Sequence, residues 1–253
     1  MPFKPVTPQK LSHAVVRQIE LLILRGILRP GERLPPERAL SEKLGVSRPS
    51  LREALAQMQQ DGLLTARSGD GIYVAEALYS AFSPALAALF ARHDDAVFDG
   101  LAFRRDIEAI AAERAARQAS DTDLAVIDAA FQKMQSAHAA GEPAAKLDAQ
   151  FHMAIIEAGH NVVMLHMMRS MYDLLEGGVF YNRQIMFKRR TTRGAILAQH
   201  RTIKEAIAAR DPEAARRAVE DHLDFIEAAL RADQKAQANE DIARQRLDHE
   251  TNS

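Results

Sequence analysis

Between Pro36 and Met58 the apolar residues fall at intervals of three and four. Ala39, Leu40 and Leu44 share one helical face, and Leu51, Ala54, Leu55 and Met58 share another. Pro36 sits where a first-turn residue needs no N–H, Gly45 ends the first run, and Ser47 can cap a second helix that carries Pro49 in its first turn. The pattern predicts a helix from Pro36, a three-residue turn, and a helix starting at Ser47 or Arg48. After Gly62 the residues Leu63 to Arg67 and Ile72 to Ala75 read as two short strands about the turn Ser68-Gly69-Asp70-Gly71. From Glu76 strand-like alternation stops. Helices are then expected over about Phe98–Ala119 and Asp121–Ala140, from Pro143 to Gly159, and from Asn161 along the stripe Leu165, Met168, Tyr172 and Leu175. Two more are expected over Arg193–Ala209 and Pro212–Ala232, and the polar remainder should fray.

Helix, turn, helix and glycine-turned hairpin follow one another in the order of a winged DNA reader. The expected fold is therefore mainly α: a winged helix-turn-helix domain over residues 1–76, an all-α helical bundle over 77–233, and a polar tail over 234–253. In the second helix Arg48, Ser50 and Arg52 lie near the amino-terminal end and off the core, the end that a recognition helix presents to base edges. Arginine can give guanine O6 and N7 two hydrogen bonds, and Ser47 and Ser50 can serve phosphates or bases. Gly69 and Gly71 let the wing approach a backbone or minor groove closely, and Arg67 adds charge beside it. The bland alternative is a helical hairpin with solvated arginines; three features arriving in sequence weigh against it.

Charge agrees. The first 76 residues hold 11 Lys or Arg against 8 Asp or Glu, a net of +3, and the rest hold 22 against 26, a net of −4. That suits one small reading head on double-stranded DNA rather than a non-specific coat. A chain of 253 residues with 47% hydrophobic composition has room for two cores. It contains no cysteine, which excludes disulfides and thiolate clusters, and no apolar run approaches a membrane span of roughly 20 residues. No secretory signal opens it, and a cytoplasmic protein without membrane partners is the expectation.

In the helical part Asp148 and His152 stand four residues apart, on one face of one helix. His200 shares an apolar stripe with Ile203 and Ile207, and His222 lies beside Val219, Phe225 and Ile226. Unpaired burial of such groups costs several kcal/mol, and one shared divalent ion would satisfy all four. Imidazole nitrogen with carboxylate oxygen suits zinc first, and also nickel, manganese or iron. Taken singly, each histidine reads as an ordinary hydrogen-bonded side chain, and His13, His93, His138, His160, His166 and His249 receive only that reading. Arg104 reads alone as a surface arginine paired with Glu108, yet it shares a helical side with Leu101 and Ile107. Asn161 reads alone as a helix cap.

The stretches Leu28 to Arg38 and Val46 to Ala54 resemble the amino-terminal domain of GntR-family transcription regulators. The resemblance implies DNA contacts from Arg38, Arg48 and Arg52 and entry of Gly69 and Gly71 into the minor groove; Asp70 departs from the family's usual run of wing glycines. The helical part resembles the ligand-binding domain of the FadR subgroup, which implies a metal held by Asp148, His152, His200 and His222 and an effector pocket faced by Arg104 and Asn161. Within the subgroup, motifs such as His160-Asn161-Val162-Val163 and His222-Leu223 are similar to those of regulators of the pyruvate dehydrogenase complex, which implies pyruvate as effector. The Asp148 and His152 pair is instead commonly kept in lactate- and glycolate-responsive relatives.

The expected function is a homodimeric repressor, not an enzyme, that leaves a palindromic operator when a small carboxylate such as pyruvate, or alternatively lactate or glycolate, binds. Two other classes remain open at this level. One is a helical metal-dependent enzyme acting on a carboxylic acid, for which the sequence offers no clear general base. The other is a DNA-binding scaffold whose helical part only dimerises.

Overall fold

The computed structural model describes residues 11–67, 69–76, 82–90, 92–142, 145–176 and 190–251. The chain divides into two compact units, Met1–Ser80 and Ala81–Ser253. Ser68 of the wing turn and Pro143, expected to open a helix, lie outside the described residues.

In the first unit α1 (Leu11–Leu24), α2 (Glu37–Leu44) and α3 (Arg48–Gln60) precede β1 (Leu64–Arg67) and β2 (Gly71–Val74). Helix α1 is not among the expected elements, although Val15, Ile19 and Ile23, four apart, supply its buried stripe. They meet Leu40, Leu51, Leu55 and Met58 in one core. Gly45 closes α2 at φ 65°, the left-handed conformation that glycine adopts without strain. Ser47 caps α3, accepting from the Ser50 amide. The strands pair antiparallel, Leu64 opposite Val74 and Arg67 opposite Gly71. This is the expected helix-turn-helix with a two-stranded wing.

The second unit is helical throughout its described residues: α4 (Pro84–Phe90), α5 (Asp94–Gln118), α6 (Asp121–Ala140), α7 (Ala145–Ala158), α8 (Val162–Glu176), α9 (Arg190–Ala208) and α10 (Pro212–Thr251). Ser120 and Asp123 form a reciprocal capping box at the start of α6. Helix α5 packs along α10 and α7, and α6 packs on α7 and α9. Ala109, Ala112, Ala115 and Ala116 are fully buried on α5, and such small side chains let the neighbouring helices approach closely. Helix α10 runs on through the polar stretch expected to fray, exposed along residues 234–251. Ala, Gln, Glu and Arg are strong helix formers, and four-residue pairs such as Glu240 with Arg244 support the extension. No helix among the described residues is long and apolar enough to cross a membrane.

Candidate functional site

The first unit presents its arginines to solvent. Arg38 Nε donates to Glu42 Oε1 at 3.1 Å within α2, and Arg52 Nε donates to Glu37 Oε2 at 2.8 Å, tying α3 to the start of α2. Exposed pairs of this kind contribute little, so either guanidinium can exchange its carboxylate for a phosphate or base at small cost. Arg48 is exposed in the first turn of α3, and the Ser47 and Ser50 hydroxyls lie 2.9 Å apart beside it.

In the wing, Arg67 lies over the Tyr73 ring at 4.2 Å and donates to Glu76 Oε1 at 3.0 Å. Asp70, the acidic departure at the tip, accepts from the Tyr73 hydroxyl and pairs with Arg33 Nη1 at 3.5 Å. Its charge is thus answered by Tyr73 of the hairpin and by Arg33, which bridges to the edge of β2. Gly71, at φ 126°, has a backbone conformation that disfavours other residues, and a Cβ there would lie 3.0 Å from the mobile Arg33 side chain, which would have to shift slightly. Arg33 escapes sequence reasoning because its partners come together only when the strands pair.

In the second unit Asp148 and His152 on α7, His200 on α9 and His222 on α10 converge, all four buried. One ligand atom from each lies within 4.8 Å of the others. His152 Nε2 is 3.1 Å from His200 Nε2, and Asp148 Oδ1 is 3.3 Å from His200 Nε2 and 3.9 Å from His152 Nε2. Donors held about 2.0–2.2 Å from one ion stand roughly 3 to 4 Å apart, so the His152, His200 and Asp148 separations already fit a divalent metal, and the widest in the set, up to 4.8 Å, would close by about 1 Å. The donor chemistry, three imidazoles and one carboxylate, fits as well.

The surrounding groups aim the donors. His152 Nδ1 lies 2.8 Å from Glu108 Oε2, and His222 Nδ1 lies 3.0 Å from Gln199 Oε1. An N–H on each Nδ1 donates to those oxygens and leaves each Nε2 as a lone-pair donor, the outer arrangement typical of metal-binding histidines. Glu108 also accepts from Arg104 Nε at 2.6 Å and from the Tyr172 hydroxyl at 3.0 Å, while Arg104 Nη2 donates to that hydroxyl at 3.1 Å. Burial opposes ionisation of Glu108, but Arg104 and His152 outweigh it and hold the carboxyl well below its usual range. For His222, burial first and then His200 and His152 push the imidazole well below its ordinary value, so it is neutral and ready to ligate.

One reading needs adjustment, that of Arg104, and the cap read at Asn161 is present. Arg104 does pair with Glu108, but the pair is buried, at 3% exposure on each side chain, rather than on the surface. Asn161 Oδ1 accepts from the amides of Val163 and Met164, each at 3.1 Å, and so caps α8. Glu108, read only as a surface partner of Arg104, Tyr172, read only as part of an apolar stripe, and Gln199, not singled out at all, complete the site.

Residues 11–74 match the family of bacterial regulatory proteins named gntR, and residues 99–225 match the FCD domain. The chain is 36% identical over 238 residues to the "Putative L-lactate dehydrogenase operon regulatory protein" of Escherichia coli K12, covering 92% of this chain and 91% of that one. The chain belongs to the GntR family. This GntR-family protein is also 32% identical over 225 residues to the Glc operon transcriptional activator of the same strain, covering 87% of this chain and 89% of that one. Among solved structures, Streptococcus agalactiae GntR matches with a TM-score of 0.56 at 24% identity, over 86% of this chain and 99% of that one, a likeness of fold. The protein is thus a DNA-binding transcription regulator with a GntR head and an FCD domain, not an enzyme. Its buried cluster is a metal-competent site inside the FCD domain.

Proposed function

We propose that this GntR-family protein is a homodimeric repressor in which residues 1–76 read a palindromic operator and residues 77–233 hold a divalent ion and a small carboxylate, with 234–253 as a polar extension. The observation that carries the sensing half is the buried convergence of Asp148, His152, His200 and His222 from three helices. Zinc is the first choice for that donor set. The ion would supply a fixed positive charge in a dry site, suited to a small anion. Arg104 enters this reading through its buried network with Glu108 and Tyr172, and Asn161 through the start of α8.

The contact set on DNA is Arg38, Ser47, Arg48, Ser50, Arg52, Arg67, Gly69 and Gly71. A recognition helix of this type reads one half-site, which favours a dimer on two inverted half-sites. For the effector, the name of the E. coli L-lactate dehydrogenase operon relative favours L-lactate, whereas the motif resemblance favours pyruvate. The two acids differ only at C2, as hydroxyl or ketone. Lactate is our first choice.

The test starts with an operator selected from random duplexes by the full metal-loaded chain, followed by titration of the complex with L-lactate, glycolate and pyruvate. Inverted half-sites and release by one acid at lower concentration than the others are expected. Operator affinity indifferent to all three acids while metal stays bound would overturn the sensing half. Retention of both metal and ligand response in His200→Ala would overturn the four-residue site.

A further inference from the structure

Helices α6 and α9 leave a small, solvent-open cleft, lined in part by His200. Ile196 and Leu197 give it an apolar wall, and its polar groups are His138, Glu142, Arg193 and His200. Arg193, Ile196, Leu197 and His200 are spaced by three, four and seven residues, so one face of α9 carries the guanidinium and the imidazole along the same cleft. Arg193 Nε is buried and has no hydrogen-bond partner, and Nη1 makes one long bond, 3.4 Å, to the Gly141 carbonyl. Among the described residues no carboxylate pairs with Arg193, although Glu142 lines the same cleft. Arg104, by contrast, is held by Glu108 and Tyr172.

A guanidinium cannot shed its charge, and a buried N–H left without an acceptor is costly. Such a group in a cleft is a site built for an acceptor that arrives from solution. A carboxylate matches it because two oxygens meet the planar fork, with hydrogen bonds strengthened by opposite charge. We propose that Arg193 is the anion anchor of the cleft: it takes the carboxylate of the small acid and leaves the acid's other end directed along the cleft toward His200. His138, half-buried beside it, is the second polar contact. The assignment rests on the small-carboxylate reading above and adds to it which arginine reads the charge.

The experiment uses the zinc-loaded full chain and compares L-lactate with its neutral amide, lactamide, by calorimetry, in wild type, Arg193→Gln and Arg193→Lys. Zinc content is measured in each variant as the control for an intact site. In Arg193→Gln, lactate affinity should fall about 10- to 100-fold, the scale of one lost charge-assisted contact, with lactamide affinity unchanged. Arg193→Lys should recover part of the loss. Unchanged lactate affinity in Arg193→Gln, or a parallel fall for lactate and lactamide, overturns the assignment. Should wild type bind none of lactate, glycolate and pyruvate, the carboxylate reading falls and the assignment falls with it; binding in wild type that survives in Arg193→Gln removes Arg193 alone.

Discussion

Glu108 Oε2 stands 2.8 Å from His152 Nδ1, so a carboxylate on α5 decides which nitrogen of a buried imidazole on α7 is free. Because Glu108 is ionised, it can only accept, and the proton must sit on Nδ1. Nε2 then faces His200 and Asp148 as a lone pair. Glu108→Gln keeps the shape but can offer an N–H in place of an oxygen, and it removes the charge that strengthens His152 as a donor. Metal affinity should drop by about 10- to 100-fold, the usual scale for such outer partners. Competition with a chromophoric chelator measures it, and unaltered zinc affinity would mean that Glu108 does not set the tautomer.

Arg104 and Glu108 form a buried ion pair, so removing one partner alone leaves a charge without compensation. Arg104→Ala should destabilise the helical unit by about 3–5 kcal/mol, whereas Arg104→Met with Glu108→Leu should cost markedly less. Denaturant unfolding of the metal-free single and double variants provides the comparison. Equal losses would show that the pair is not coupled.

What was legible in the sequence depends on how much of each signal is local. Asp148 and His152 share a helix at four-residue spacing, and His200 and His222 each sit on an apolar stripe, so the four candidate donors were visible one by one, and only the resemblance to the FadR subgroup grouped them into a set. Glu108 could not, because a four-residue Arg–Glu spacing looks the same on a surface helix and in a core. Its burial follows from α10 and α7 closing over α5, which is tertiary information. Gln199 carries no chemical signal beyond adjacency to His200. Helix α1 had its signal in Val15, Ile19 and Ile23, whereas the continuation of α10 past Ala232 runs against a polar composition that by itself suggests a frayed end. The wing was legible as a hairpin, but the Arg33 to Asp70 pairing depends on strand register.

That pairing bears on DNA affinity. Asp70 occupies Arg33 at 3.5 Å and sits at the tip of the wing. Asp70→Asn removes a negative charge from beside the phosphates and frees a guanidinium. Operator affinity should rise, and the slope of log affinity against log salt should steepen by about one phosphate contact. The Arg67→Ala substitution should act in the opposite sense. Anisotropy titrations at several salt concentrations test both, and a slope that does not move in Asp70→Asn would place the wing away from the backbone.

Base reading and backbone contact separate in the same assay. Arg48→Ala or Arg52→Ala should cost about 1–3 kcal/mol on the selected operator and relax discrimination at one base pair in each half-site. Loss of the Arg52 to Glu37 pair accounts for little of this, because exposed ion pairs are weak. Affinity and base preference both unchanged in the two variants would remove α3 from the major groove.

The metal site also gives the protein a defined response to acid. His222 is held neutral in the fold by burial and by His200 and His152, so its folded pKa lies well below that of the unfolded chain, about 6.5. Below that value the unfolded chain binds the extra proton and the folded chain does not, so stability falls as pH drops; above it the group adds no slope. Bound metal shifts in the same direction, since protons compete for the imidazole lone pairs. The unfolding temperature of metal-free protein should therefore decline as the pH is lowered from about 7.5 through 6.5 toward 5.5, and His222→Gln should decline less steeply. Loaded protein should add a second decline, as zinc is lost over the same range. A metal-free slope identical in wild type and His222→Gln would locate the acid response elsewhere, since glutamine cannot take up the proton that histidine does.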